Sequence, residues 1–506
     1  MLTLDRRRML ALSATVPAMG MFGQGWATVP ADVVATSHGR VRGRTDGGIR
    51  VFTGIPYGRA LRFGAPRSAP RWSGVLEATR PAPVAPQIPG MVPLTGTMSE
   101  DCLHLNIWAP AKAGRYPVLF YIHGGANEAG WSGEALTAGD RFAANGVVCV
   151  TVNYRVGALG FLDAGALLGK AYAGSANNAM RDLMLALRWV QANIAGFGGD
   201  PRKVTIAGGS AGGKNVGTLM GMPAADGLYA QVAQFSGGGQ TVHTKADASA
   251  FARLFADKLG GAGRLLTASV EDILAAQGQA KAEWPHNFPF RPVVDGALLP
   301  SVPLERIRSG AGQAVPMLIG TNANESRLFV SAAQAAEPLR AQSIANESLA
   351  RMEALDRYYA AAFPDLPDAE RHWRLLTAEE YGMPCLRLAE GHAQRGAEVF
   401  RYRLAYPAPS GPFRGYSPHA FDTPFTFDHL NLPGLSAFFG LSAKDQPLAD
   451  AVHMAVVNFV RSGRPSAPAL PEWRPYTLDA RETMVLDRAS ALVADPDRNE
   501  RLIWAD

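Results

Sequence analysis

Two stretches of nearly unbroken apolar, β-branched and aromatic residues, 117–123 (PVLFYIH) and 147–154 (VVCVTVNY), stand out along the chain. They lack the alternation of a half-exposed strand and therefore predict strands covered on both faces. Downstream, residues 178–194 place Met180, Leu183, Met184, Leu187, Val190 and Ile194 three or four apart, the period of an amphipathic helix. A short strand at 204–207 (VTIA) and a helix-length segment at 211–220 follow, with further strand-like runs at 232–235, 315–319, 399–406 and 483–486. Strands alternating with helices predict an α/β fold: a large, mostly parallel central sheet flanked by helices. Long loops connect these elements, and residues 339–384 carry a helical pattern that reads as a cap-like insertion.

Composition changes this picture in two places. At 506 residues the chain is long enough for more than one domain, but it contains no internal repeat and no linker-like break, so one large domain over 28–506 is expected. Part of the +5 formal charge comes from Arg6, Arg7 and Arg8, offset in part by Asp5, and these arginines precede a diluted apolar stretch ending near the small residues Gly25 and Ala27. That arrangement reads as a twin-arginine-type export signal over 1–27, leading to the bacterial periplasm or the medium. The rest of the charge is scattered, which argues against nucleic acid. Past the leader, no segment reaches the ~18 consecutive apolar residues of a membrane anchor. Cys102, Cys149 and Cys385 are too few for a disulfide framework, and no CxxC pair or HExxH motif offers a metal site.

Chemistry first appears between the strand at 204–207 and the helix at 211–220. Gly208-Gly209-Ser210-Ala211-Gly212 fits GxSxG, in which glycines allow a sharp turn that exposes a serine at a strand's carboxyl end against a helix N-terminus. The same residues offer a rival, because 208–215 (GGSAGGKN) nearly matches the phosphate loop GxxxxGK[ST]. Asn215 stands where a hydroxyl would hold Mg²⁺, and the run at 147–154 carries Asn153 near its end rather than an aspartate, so nucleotide binding is the remote reading. A serine hydrolase also needs N–H donors for an oxyanion, and His123-Gly124-Gly125-Ala126 closes the first strand with a glycine turn suited to supply them.

Taken with GIPYG (54–58), SEDCLHLNIWAP (99–110), FGGDP (197–201), PVVDG (292–296) and NFVRSGRP (458–465), these motifs make the chain resemble a type-B carboxylesterase of the carboxylesterase and cholinesterase family, within the α/β-hydrolase superfamily. The resemblance implies a Ser-Glu-His triad, which falls on Ser210 as nucleophile, Glu325 in GTNANES as acid and His419 in GYSPHAFD as base. Asp295 and Asp422 compete for the acid role. Strand-end placement favours Glu325 and leaves Asp422 to steady the His419 loop. The implied oxyanion donors are the N–H groups of Gly125, Ala126 and Ala211. Departures from the family pattern are informative as well. Ala126 replaces a third glycine, narrowing the site without removing a donor. Asn127 stands where an aromatic usually follows, with Glu128 next, which suggests a more polar pocket. Gly209 replaces a glutamate, which lowers the negative potential beside Ser210 and disfavours cationic alcohols. The cysteine that usually pairs with Cys102 falls at about Ala85, so that disulfide is absent.

The leading function is an exported carboxylic-ester hydrolase that works through an acyl-enzyme on a small-molecule ester. It needs no cofactor, metal, permanent membrane anchor or obligate protein partner. The alternative within the resemblance is a catalytically silent adhesion or binding member, a class that typically loses a triad residue, whereas Ser210, Glu325 and His419 all stand here.

Overall fold

Both unbroken apolar runs become inner strands of one large sheet. The computed structural model describes residues 33–90, 94 and 96–505, so the leader expected over 1–27 lies outside the described residues. Eleven strands pair in that sheet: β1 (Arg44–Asp46), β2 (Ile49–Pro56), β3 (His104–Pro110), β4 (Tyr116–Ile122), β5 (Val148–Val152), β6 (Gly199–Gly209), β7 (Gln231–Phe235), β8 (Met317–Asn322), β9 (Val399–Leu404), β10 (Glu482–Leu486) and β11 (Ala491–Ala494). Their spatial order is β11-β10-β9-β8-β7-β6-β4-β5-β3-β2-β1. From β5 through β4 and β6 to β10 every neighbour is parallel. The two ends are finished by antiparallel pairs.

The lack of alternation in the apolar runs has a direct cause. Val118, Phe120 and Ile122 of β4 enter one apolar core, while Leu119 and Tyr121 enter the core on the opposite face. Successive strand residues point to opposite sides, so a strand with a core on each face must be apolar throughout. Six helices are used below: α1 (Asn178–Asn193), α2 (Ala211–Met220), α3 (Leu349–Ala362), α4 (Asp368–Thr377), α5 (Met383–Ala393) and α6 (Gln446–Ser462). Met180, Leu183, Leu187 and Val190 of α1 belong to the first core; Val452, Val456 and Phe459 of α6 belong to the second. The two helices thus lie on opposite faces of the sheet.

Some elements run beyond what periodicity shows. The strand expected at 204–207 extends over all of β6, because a register irregularity between Gly199 and Val204 carries the chain past the polar residues Asp200, Arg202 and Lys203. β2 and β3 carry no clean apolar run, since Asn106 and Thr53 sit within them, yet both pair in the sheet. The helical pattern at 339–384 corresponds to α3, α4 and the start of α5, with a π-helical turn at Ala378–Gly382 between α4 and α5. All three cysteines are buried and unpaired. Burial pushes the Cys102 thiol up to about 12, which keeps it an inert thiol. Among the described residues no helix is long and apolar enough to cross a membrane.

Candidate active site

Ser210 occupies the turn between β6 and α2 with φ 57° and ψ −126°, a conformation costly for a residue with a Cβ. Its N–H donates to the carbonyl of Phe235 at the end of β7 (2.8 Å), which ties the turn to the neighbouring strand. The flanking glycines are required by close backbone approach. A Cβ on Gly208 would stand 2.4 Å from the carbonyl carbon of Gly212, and one on Gly212 would stand 2.0 Å from the carbonyl oxygen of Ile122. Gly212→Ala should therefore destabilise the protein by about 3 kcal/mol, the upper end for overpacking, because the atoms it would strike, the carbonyl groups of Ile122 and His123, are backbone. Chemical denaturation of the variant beside wild type would measure it.

The turn after β4 packs against this serine. A Cβ on Gly124 would lie 3.1 Å from the Cβ of Ser210. Gly125, Ala126 and Asn127 then take φ values of 101°, 57° and 60° in succession. Holding Ala126 and Asn127 there costs free energy, and such strain persists only where the surroundings over-determine it. Among the described residues none accepts a hydrogen bond from the backbone N–H of Gly125, Ala126 or Ala211. All three residues line, with Ser210, a cavity of about 540 Å³.

Glu325 opens a short helical turn just past β8 and is fully buried. Its Oε1 accepts from the hydroxyl of Ser236 (2.6 Å) and from the N–H of Asn322 (2.6 Å). Its Oε2 lies 2.5 Å from Nδ1 of His419. An ionised carboxylate can only accept, so Nδ1 is the protonated nitrogen and Nε2 carries the free lone pair. Nε2 is buried and, among the described residues, has no hydrogen-bond partner. His419 lines the same cavity as Ser210, with Phe329 and Tyr381 packed on its ring at centroid distances of 5.0 and 4.7 Å.

The rival acids have other duties. Asp295 accepts from the N–H groups of Ala297 and Leu299 and from the amide of Asn177, which pins a loop. Asp422 accepts from the hydroxyl of Tyr402 on β9 (2.5 Å), joining the loop after His419 to the sheet. Burial, with Glu325 nearby, raises its carboxyl to about 6. Asn127 lines the cavity, but its Nδ2 donates to the carbonyl of Phe290 and its Oδ1 accepts from Asn215. Its polarity is thus directed into the protein, and the pocket is less polar than its sequence suggests. Phe288, Phe290, Leu328 and Phe329 make much of the wall apolar. Glu128 pairs with Lys281 (2.7 Å), and Gly209 leaves room beside the Tyr121 hydroxyl, which a Cβ there would meet at 3.0 Å. Asn215 is fully buried and Lys214 is paired with Glu380, so neither serves a phosphate loop.

Ser236 and Asn322, which orient Glu325, were not singled out by sequence, although both stand at or just past the carboxyl ends of parallel strands, where such sheets gather their sites. Lys214, Glu380 and Tyr381 also line the cavity. Glu380 and Tyr381 come from the π-helical turn, a feature often found at functional sites.

The model of the carboxylesterase family matches residues 30–503. The para-nitrobenzyl esterase of Bacillus subtilis is 34% identical over 93% of this chain and 97% of its own. The liver carboxylesterase of Sus scrofa is 31% identical over 89% of each. Among solved structures, a carboxylesterase of Geobacillus stearothermophilus superposes with a TM-score of 0.81 at 35% identity, covering 94% of this chain and 100% of that one. A PNB esterase structure gives a TM-score of 0.81 at 31% identity with the same coverage.

Proposed function

Since the chain belongs to the carboxylesterase family, has the α/β-hydrolase fold and is a carboxylic-ester hydrolase, we propose that it works as a serine esterase in which Ser210, His419 and Glu325 carry an acyl-enzyme cycle. His419 Nε2 takes the Ser210 proton as Oγ attacks the ester carbonyl carbon. The oxyanion that forms is stabilised by the N–H groups of Gly125, Ala126 and Ala211, each such donor being worth about 10²–10³ in rate. Glu325 holds the imidazole tautomer and stabilises the imidazolium, which then protonates the departing alcohol. Water repeats the sequence on the acyl-enzyme and releases the acid. The observation that carries this reading is the Glu325–His419 bond, which leaves an unpartnered Nε2 in the cavity that Ser210 lines. The twin-arginine reading of residues 1–27 extends the proposal to an exported enzyme.

The test is covalent trapping. Purified protein hydrolysing a para-nitrophenyl acyl ester should lose activity to a sulfonyl fluoride, with one equivalent of label found by mass spectrometry on the peptide containing Ser210. Label on another residue, or turnover that survives full labelling of Ser210, would overturn the assignment. Absence of both turnover and labelling would favour a silent member of the family.

A further inference from the structure

We propose that Lys214 and Arg291 form an anion-recognising subsite in the wall of this cavity, so that preferred substrates are esters carrying a second, ionised carboxylate, such as half-esters of short dicarboxylic acids. The proposal rests on the serine-esterase reading of the same cavity and deepens it. Lys214 is the fourth residue of α2, and its N–H donates to the carbonyl of Ser210 (2.9 Å). Its side chain therefore starts one helical turn, about 5.4 Å, along from the serine. The ammonium is largely buried, bonded to Glu380 Oε1 at 2.7 Å, and sits 4.7 and 5.3 Å from the ring centroids of Tyr381 and Phe288. Tyr381 packs on His419 as well, so one ring bridges ammonium and imidazole. An ammonium has three donors, and Glu380 uses one.

Arg291 supplies the second charge. It is more than nine-tenths buried and lines the cavity. Nε donates to the carbonyl of Phe288, and Nη2 to those of Asn287 and Ala345. Those acceptors are neutral. Among the described residues no carboxylate lies within ion-pair distance of Arg291, whereas buried charges are normally paired. Glu379 does not balance it by contact, because its carboxylate accepts the backbone N–H groups of Ala345, Asn346 and Glu347, and burial raises it to about 7. Two cations thus face one directly paired acid on this wall. The other acids lining the cavity come from different segments: Glu128 is paired with Lys281, Glu134 accepts from the N–H of Trp131, and Asp422 accepts from Tyr402. A carboxylate held a few methylenes from the reacting carbonyl would meet the ammonium with a charge-assisted bond inside a mostly apolar cavity.

The experiment compares the para-nitrophenyl half-ester of glutaric acid with that of glutaramic acid, its neutral isostere, after subtraction of spontaneous release. Wild type should favour the acidic ester in kcat/KM by at least about tenfold. Glu380→Gln, which removes the competing anion, should raise that ratio, and Lys214→Gln should lower it. A residue with a purely structural role would not move the ratio in opposite directions in the two variants. If Lys214→Gln fails to fold because Glu380 is stranded, Lys214→Gln with Glu380→Gln is read against Glu380→Gln alone, and the ratio should fall between them. Neutral ester turned over by wild type at least as fast as the acidic one would overturn the subsite and leave the esterase reading standing. So would both variants shifting the ratio the same way. Turnover of neither ester by wild type would overturn the esterase reading and this proposal with it.

Discussion

Ser210→Ala is expected to lower kcat for an activated short-chain aryl ester by about 10⁵–10⁶-fold, the loss seen when a serine hydrolase is deprived of its nucleophile. The fold should persist. Alanine has the same Cβ as serine at φ 57°, so the strain at the turn is unchanged, and the N–H that donates to the carbonyl of Phe235 is retained. No side-chain hydrogen bond caps α2 at this position, so loss of Oγ removes no helix contact. Thermal unfolding within a few degrees of wild type would show that the missing activity is chemical. The residual rate should still exceed that of water, because the donors at Gly125, Ala126 and Ala211 and the cavity remain. If the variant kept wild-type turnover, the serine assignment would be wrong, and the strained geometry at Ser210 would need another explanation.

Sequence carried the parts of this molecule that depend on local pattern. β4 and β5 were legible because two cores press on them and leave almost no polar position, Thr151 of β5 being buried with its hydroxyl bonded to the carbonyl of Ser132. α1 was legible because one face is apolar at helical spacing, and the serine turn because close packing demands glycine at Gly208 and Gly212. What was hidden depends on partners far along the chain. Asn127 reads as a polar pocket residue until its amide is seen bonded to Phe290 and Asn215. Glu325 could be placed at a strand end, but the hydroxyl of Ser236 that fixes it comes from just past the end of β7, 89 positions earlier. Lys214 reads as part of a phosphate loop until Glu380 meets it from a π-helical turn that no periodicity announces. The polar residues within β2, β3 and β6 masked their pairing in the sheet, since an isolated run shows its composition but not its register.

Glu325→Gln is expected to lower kcat by about 10⁴-fold with little change in KM, through the tautomer of His419 and not through a loss of packing. The native carboxylate has one oxygen held by two donors, the Ser236 hydroxyl and the Asn322 N–H, and the other facing Nδ1 of His419. A glutamine must leave its carbonyl oxygen on the side of the two donors, so its NH₂ turns toward Nδ1. Nδ1 then has to accept, the ring proton moves to Nε2, and the nitrogen facing the cavity can no longer take a proton from Ser210. The same substitution also removes the negative charge that stabilises the imidazolium. The comparison that isolates this mechanism is Asp422→Asn. That carboxylate is bonded to the Tyr402 hydroxyl and is not bonded to the imidazole, so an amide oxygen accepts in its place and kcat should fall by less than about tenfold. Steady-state kinetics on both variants, with unfolding curves to show that each is folded, decide the matter. Glu325→Gln retaining more than a tenth of wild-type kcat, or Asp422→Asn losing more activity than Glu325→Gln, would transfer the acid role to Asp422. Stranding a hydrogen-bond donor against Nδ1 is costly only if Nδ1 carries the proton in the working enzyme, so the size of the Glu325→Gln effect measures how firmly the buried carboxylate holds His419 in its reactive tautomer.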